Sequence, residues 1–354
     1  MRVGRLVALL VWCVVAVSCG VAPQSPDVVA EVADTVRSER RIRLLFAGDV
    51  MAHLPQGAKA KTIGGYDFGP SMRYVAPLFK QADLAVVNLE TTLADTLPYS
   101  GYPLFRTPAH LAEALSDAGV DVVMLANNHC LDAGWSGVKS TREILSRNGL
   151  LYTGVALDSL QYEAQTPLIV ERNGCKVAFL NYTYSTNGNH TERNEVVGRI
   201  DTVAMARDLK RASEADLRVV YLHWGDEYSR VPSIAQRRVA AFLRRSGAEI
   251  VVGSHPHVVQ RTECDSCGVL LYSLGNFVSN QRWRYSDGGI VAEVDVVLRD
   301  EGRDYALNVE PVWVRKSDYA VLPKSVADTL AMSAEETMAY NLFIADTEAL
   351  ICGE

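Results

Sequence analysis

Six short apolar runs in this 354-residue chain each lead into a side chain able to bind a metal ion or a phosphate. They are Leu44-Leu-Phe-Ala-Gly-Asp49, Leu84-Ala-Val-Val-Asn-Leu-Glu90, Val122-Val-Met-Leu-Ala-Asn-Asn-His129, Val219-Val-Tyr-Leu-His223, Ile250-Val-Val-Gly-Ser-His-Pro-His257 and Leu270-Leu-Tyr-Ser-Leu-Gly-Asn276. Imidazole and carboxylate donors together suit Zn, Mn, Fe or Ni, whereas an oxygen-only set suits Mg or Ca. Asp49, Glu90, His223, His255 and His257 provide that mixture, and Asn128 adds a neutral carbonyl oxygen. A single histidine at a strand end is more often a structural residue. Here four of the seven histidines, His129, His223, His255 and His257, sit just beyond apolar runs, and the recurrence points to one shared centre.

For these donors to meet, the runs must be strands of an open α/β sheet, whose carboxyl ends share one edge. The pattern supports this. Strands over 42–47, 84–88 and 122–125 alternate with helices around 72–81, 109–118 and 136–148, which predicts a largely parallel sheet. Asn173-Gly174, between apolar runs at 166–171 and 176–181, signals a hairpin. Alternation resumes with helix 203–214, strand 217–223, helix 234–246 and strand 249–253. Beyond Pro256 the runs 258–263, 269–274, 289–298 and 305–314 are separated by turn residues, an antiparallel character. The switch predicts a mixed sheet, or two sheets packed face to face with helices outside. Residues 333–350 read as a terminal helix whose first turn carries Glu335 and Glu336, where the helix dipole favours acids.

The amino terminus reads differently. Arg2 and Arg5 precede the apolar run Leu6 to Val17, and Ala16-Val-Ser-Cys19 follows, the layout of an export signal. The apolar run is shorter than the roughly 20 residues a spanning helix needs. Ser18 before Cys19 resembles a bacterial lipobox, which makes Cys19 a lipidated first residue; the plainer alternative is ordinary cleavage and a simple thiol. On this reading residues 1–18 are the signal, 19–40 a proline-containing tether, 41–320 the folded domain and 321–354 a carboxyl-terminal extension with a helix.

Loss of residues 1–18 removes two arginines and no acid, taking the formal charge from −7 to −9. A chain this acidic is no generic nucleic-acid binder. Cys264-Asp-Ser-Cys267 reads as a local disulfide in an oxidising compartment. The alternative, half a zinc site, lacks a second cysteine pair nearby. No Gly-x-Ser-x-Gly and no Walker-type loop occurs, so serine-hydrolase and NTPase chemistry fall away.

Gly48-Asp49, Asn88-Leu-Glu90, Asn127-Asn-His129, His223 and His255-Pro-His257 together resemble a diverged calcineurin-like metallophosphoesterase site. More specifically the chain resembles the CapA family of capsule and poly-γ-glutamate synthesis proteins. That resemblance is carried by Phe46-Ala-Gly-Asp-Val-Met51, Val87-Asn-Leu-Glu90, Leu125-Ala-Asn-Asn-His129 with Asp132 and Gly134, and His223-Trp-Gly-Asp-Glu-Tyr228. Gly253-Ser-His-Pro-His257 and Ser273-Leu-Gly-Asn-Phe277 complete it, over residues 41 to 315. It implies a metallo-dependent phosphatase-like α/β fold, a four-layer α/β/β/α sandwich with mixed β-sheets.

The resemblance further implies one or two divalent ions of the Mn, Zn, Fe or Ni type. Asp49 and His257 would hold one, Asn128, His223 and His255 the other, with Glu90 bridging. His129, beside Asn128, would act as proton donor to the leaving group or hydrogen-bond donor to the substrate. Arg106, Glu227 and Tyr228 are candidate substrate-binding residues; for Arg106 the alternative is a surface guanidinium, and for Glu227 a helix-start acid. One departure stands out. Met51 occupies the position where the wider superfamily has a histidine, and a thioether is a poor ligand for these ions. The first metal position is therefore expected to be weak, with His53 as a possible substitute or simply a polar loop residue.

The implied function is a metal-dependent hydrolase of the cell envelope acting on an anionic surface polymer, poly-γ-glutamate or capsular polysaccharide. It would be held to the membrane through the lipid on Cys19, with no nucleic-acid partner. A γ-glutamyl amide hydrolase is one form of that chemistry. The alternative is a non-catalytic polymer-binding or assembly lipoprotein with a degenerate metal site.

Overall fold

Alternate side chains of the central strands serve two different cores, and that division sets the architecture. In the strand Arg40–Val50, Leu44 and Phe46 face one way, Leu45 and Ala47 the other, and all four are buried. The computed structural model describes residues 39–191 and 196–352. Among these, one sheet runs in the order Val321–Pro323, Gly302–Val314, Gly288–Arg299, Arg40–Val50, Leu84–Leu89, Val122–Met124, Leu151–Thr153. The last four are mutually parallel and the first four antiparallel, while Asn276–Val278 pairs with the end of Arg40–Val50. The second sheet runs Leu168–Arg172, Cys175–Thr183, Leu217–His223, Ile250–Ser254, Gly268–Leu271, Thr262–Asp265, with antiparallel edges around a parallel centre.

Three apolar layers hold the sheets in register. Phe46, Val86 and Met124 of the first sheet meet Phe179, Tyr221 and Val252 of the second. On the outer face of the first sheet, Leu45, Val87 and Val123 pack against Leu115 of the helix His110–Ala118 and Ile144 of Gly134–Arg147. The outer face of the second sheet is covered by Met205 and Leu209 of Thr202–Arg211 and by Leu243 of Ile234–Arg245. The result is a four-layer α/β/β/α sandwich with mixed sheets, as expected. Tyr221 ties the sheets together by a buried hydrogen bond from its hydroxyl to the Ala47 carbonyl, 3.1 Å. Beyond residue 320 the chain adds the edge strand Val321–Pro323, and the helix Ala334–Cys352 seats Tyr340 and Phe343 against Trp313 and Leu322.

The differences from expectation have local causes. The helix expected over 72–81 is two short turns, Gly69–Met72 and Ala76–Phe79, each with a proline in its first turn where no backbone donor is required. Gly268–Leu271 pairs parallel to Ile250–Ser254, so the parallel region extends one strand past Pro256. Asn173 and Gly174 take positive φ of 53° and 70° and form the expected hairpin.

The expected Cys264–Cys267 disulfide is absent, and both thiols are free and exposed. Cys264 lies in the ladder opposite Val269 with its Sγ 3.7 Å from the Tyr305 carbonyl. Cys267 sits in the turn, its N–H bonded to Asp265 Oδ1 at 2.8 Å. Cys19 and the signal and tether residues before Glu39 lie outside the described residues. Among the described residues, no helix is long and apolar enough to cross a membrane.

The inter-sheet bond gives a direct test of the fold. Tyr221→Phe leaves the buried Ala47 carbonyl without its partner, and unfolding in urea should show a loss of about 1 to 3 kcal/mol with an unchanged slope. An unaltered midpoint would mean that the two sheets are not coupled through this hydroxyl.

Candidate metal centre

Strand register, not loop reach, brings the donors together. Asp49 is level with Asn88 on one side and Asn276 on the other, and His223 is level with Thr183 and Ser254. The ends of both sheets thus open onto one place. Gly48 makes the approach possible: a Cβ there would lie 1.9 Å from the Gly275 carbonyl oxygen, which accepts the Asp49 N–H at 3.0 Å. His255 and His257 flank Pro256 with φ of 96° and 58°, a left-handed backbone that turns both rings inward. The N–H of Tyr228, itself at φ 62°, fastens this loop through the Pro256 carbonyl at 2.8 Å.

Around this point Asp49, Glu90, Asn128, His223, His255 and His257 are all buried. His223 Nε2 lies 2.9 Å from Asn128 Oδ1 and 3.6 Å from Glu90 Oε1. His257 Nε2 lies 3.8 Å from the same Glu90 oxygen, and His257 Nδ1 is 3.2 Å from Asp49 Oδ2. Asp49, Glu90 and His257 form one group with ligand atoms within 4.8 Å of one another, and Glu90, His223 and His255 form a second. Glu90 is common to both.

The donors fit divalent cations. Both Glu90 carboxylate oxygens and His255 Nδ1 are buried with no hydrogen-bond partner. A buried carboxylate in that condition is costly unless a cation meets it. Burial, with the charge of Asp49 next, pushes the Glu90 carboxyl well above its ordinary range in the metal-free protein. Burial and the neighbouring histidines pull His223 well down and His255 down to about 3, so both are neutral, the ligating form, at physiological pH.

The remaining candidates separate. His129 lines the adjoining cavity of about 610 Å³ and pairs through Nδ1 with Asp132 Oδ2 at 2.7 Å. Asp132 is itself held by the Phe105 N–H at 2.7 Å and by Asn189 Nδ2 at 3.1 Å. Glu227 and Tyr228 line the same cavity. Arg106 is not among its lining residues, because its guanidinium locks the preceding loop through the Thr96 and Pro98 carbonyls. The cation on the cavity wall is Arg282, next to Trp283, and Nε and Nη2 of Arg282 have no partner. Nothing in the sequence marked it beyond its place just after Gly275-Asn-Phe277. Trp224 is buried and donates to the Tyr272 carbonyl, a packing role. His53 joins neither ligand group; its Nδ1 contacts Gln56 and the Asn280 N–H, and burial lowers its pKa to about 4.

These features define a two-sheet α/β protein with adjacent groups of potential metal ligands at the strand ends, compatible with divalent cations. A family model described as bacterial capsule synthesis protein PGA_cap matches residues 43–281. The capsule biosynthesis protein CapA of Bacillus anthracis is 31% identical over 83% of this chain and 72% of its own length. The PGA biosynthesis protein CapA of Bacillus subtilis (strain 168) is 28% identical over 79% of this chain and 73% of its own. Among solved structures, a 5'-nucleotidase from Candida albicans SC5314 matches at 14% identity and a TM-score of 0.47, over 87% of this chain and 58% of that one. The chain belongs to the PGA_cap family of bacterial capsule synthesis proteins.

The orphaned carboxylate predicts a pH signature. Its folded pKa lies above the unfolded value, so in chelator the metal-free protein pays no penalty below about pH 4.3 and loses stability as pH rises above it. Glu90→Gln removes that loss. The stability difference between variant and wild type should widen by about 1.4 kcal/mol per pH unit from roughly pH 4.3 until Glu90 ionises. Parallel curves from pH 4 to 7 would show that Glu90 is solvated.

Proposed function

We propose that the protein is a metal-dependent hydrolase that acts on an anionic surface polymer, poly-γ-glutamate or a capsular polysaccharide, during capsule synthesis, anchoring or processing. The observation that carries this reading is the Glu90 carboxylate, without a hydrogen-bond partner among the described residues, set between two groups of histidines and carboxylates beside an open cavity that His257 lines. Divalent ions held there would polarise a phosphoryl or acyl oxygen and bring water to reactive acidity near neutral pH. Asp49 and His257 would hold one ion, Asn128, His223 and His255 the other, and Glu90 would bridge.

The protein's own groups complete the chemistry. Asp132 fixes His129 Nδ1 as a donor, which leaves Nε2 as the ring atom that passes a proton to the leaving group. Asn127 buttresses this turn: its Nδ2 donates to the Leu89 carbonyl at 2.7 Å and its Oδ1 accepts the His129 N–H at 3.1 Å. Arg282 supplies a cation for an anionic substrate, and Tyr102, Tyr228 and Trp283 give the cavity a partly aromatic wall. The names of the relatives in Bacillus, a capsule biosynthesis and a PGA biosynthesis protein, support the polymer link. The lipobox-like Ala16-Val-Ser-Cys19 supports an exported lipoprotein held at the cell envelope through Cys19.

A second reading, a polymer-binding assembly factor, is favoured by one observation. Met51 is buried on the cavity wall in place of a stronger ligand.

Turnover and metal content separate the two. His129→Ala should lower hydrolysis of an aryl phosphate or of poly-γ-glutamate by about 100-fold or more with metal retained, and His223→Ala should lose metal as well. Wild type that holds metal yet hydrolyses neither substrate leaves the binding role. For the anchor, Cys19→Ala should move the protein from the membrane to the soluble fraction; unchanged partitioning rejects lipidation.

A further inference from the structure

Charge at the centre does not stop with Asp49 and Glu90. A third group of potential ligands consists of Glu227, His255 and His257, again with donor atoms within 4.8 Å of one another. Glu227 is exposed on the cavity side, whereas the other two are buried. It shares His257 with the first group and His255 with the second. Among the described residues, no lysine or arginine lies within ion-pair distance of Glu227, Glu90 or Asp49, and the close charged-type partners of Glu90 and Asp49 are histidines. Three carboxylates gathered about these imidazoles call for compensation, and two divalent cations exceed their combined charge by one.

The backbone holds Glu227 in place. Gly225, at φ 90°, lets the chain turn against Gln236 where a Cβ would lie 2.6 Å from that side chain. Three residues on, the Tyr228 N–H bond to Pro256 ties the segment to the very loop that carries His255 and His257. His255 Nδ1, buried and without a partner, belongs to the shared ring.

We propose that Glu227 is a metal ligand, joining His255 and His257 from the cavity side of the centre. This rests on the metal-centre reading above and changes the role of Glu227 from substrate contact to ligand.

Cobalt(II) titration of the full folded chain, followed by visible absorbance and by elemental analysis after desalting, tests it without reference to activity. Glu227→Gln should weaken binding of the more weakly held ion at least about 10-fold and alter its absorbance, whereas Asp226→Asn, one residue away, should match wild type. If Glu227→Gln binds the same number of ions with wild-type affinity and spectrum, the ligand role is overturned while the metal centre stands. If wild type itself binds no cobalt, zinc or manganese, both readings fall together.

Discussion

A carboxylate without a hydrogen bond, buried between two sheets, is the constraint on which the rest of this molecule turns. Among the described residues, Glu90 has no arginine, lysine or backbone donor to meet it. In a dry interior such a group stays ionised only beside a cation. Around it the His223 and His255 imidazoles are neutral, Asp49 is held by Asn88 Nδ2 at 2.8 Å, and Asn128 offers an oxygen rather than a donor. That arrangement is compatible with a divalent cation, and the fold supplies the rigidity that holds these groups in place.

That rigidity comes from the most ordinary parts of the sequence. The alternation of Leu44, Leu45, Phe46 and Ala47 places two cores on opposite faces of one strand. Parallel pairing then aligns strand ends, so residues 39 positions apart, Asp49 and Asn88, become neighbours. In the second sheet the same logic sets His223 level with Ser254, directly before the His255-Pro-His257 turn.

Much of this was legible because period and position are written locally. Apolar runs of strand length, each ending in a donor, pointed to Asp49, Glu90, His223, His255 and His257 one by one, and the shared edge of a parallel sheet followed from β-α alternation. What was not legible depends on contacts between distant segments. Arg106 stands in a motif-rich stretch, but whether its guanidinium meets a ligand or a loop carbonyl is decided by the path of residues 96–98. Arg282 looked like one arginine among several in a polar turn, and only the docking of that turn against the cavity gives it meaning. The spacing of Cys264 and Cys267 suggests a bridge, whereas the structure has both thiols free, Cys264 in a hairpin ladder and Cys267 in its turn. The broken helix near 72–81 was signalled by Pro70 and Pro77, whose positions outweighed the apolar pattern.

Donors that stretch from Asp49 to His257 become neighbours only after both sheets have docked. Before then the chain offers scattered single imidazoles and carboxylates, which rank ions by intrinsic affinity instead of by cavity geometry. An ion held at this centre would therefore be selected only once the sheets have docked, from whatever the surroundings supply at that moment. A polypeptide threaded unfolded through a barrier would accordingly acquire the metal of the side on which it arrives.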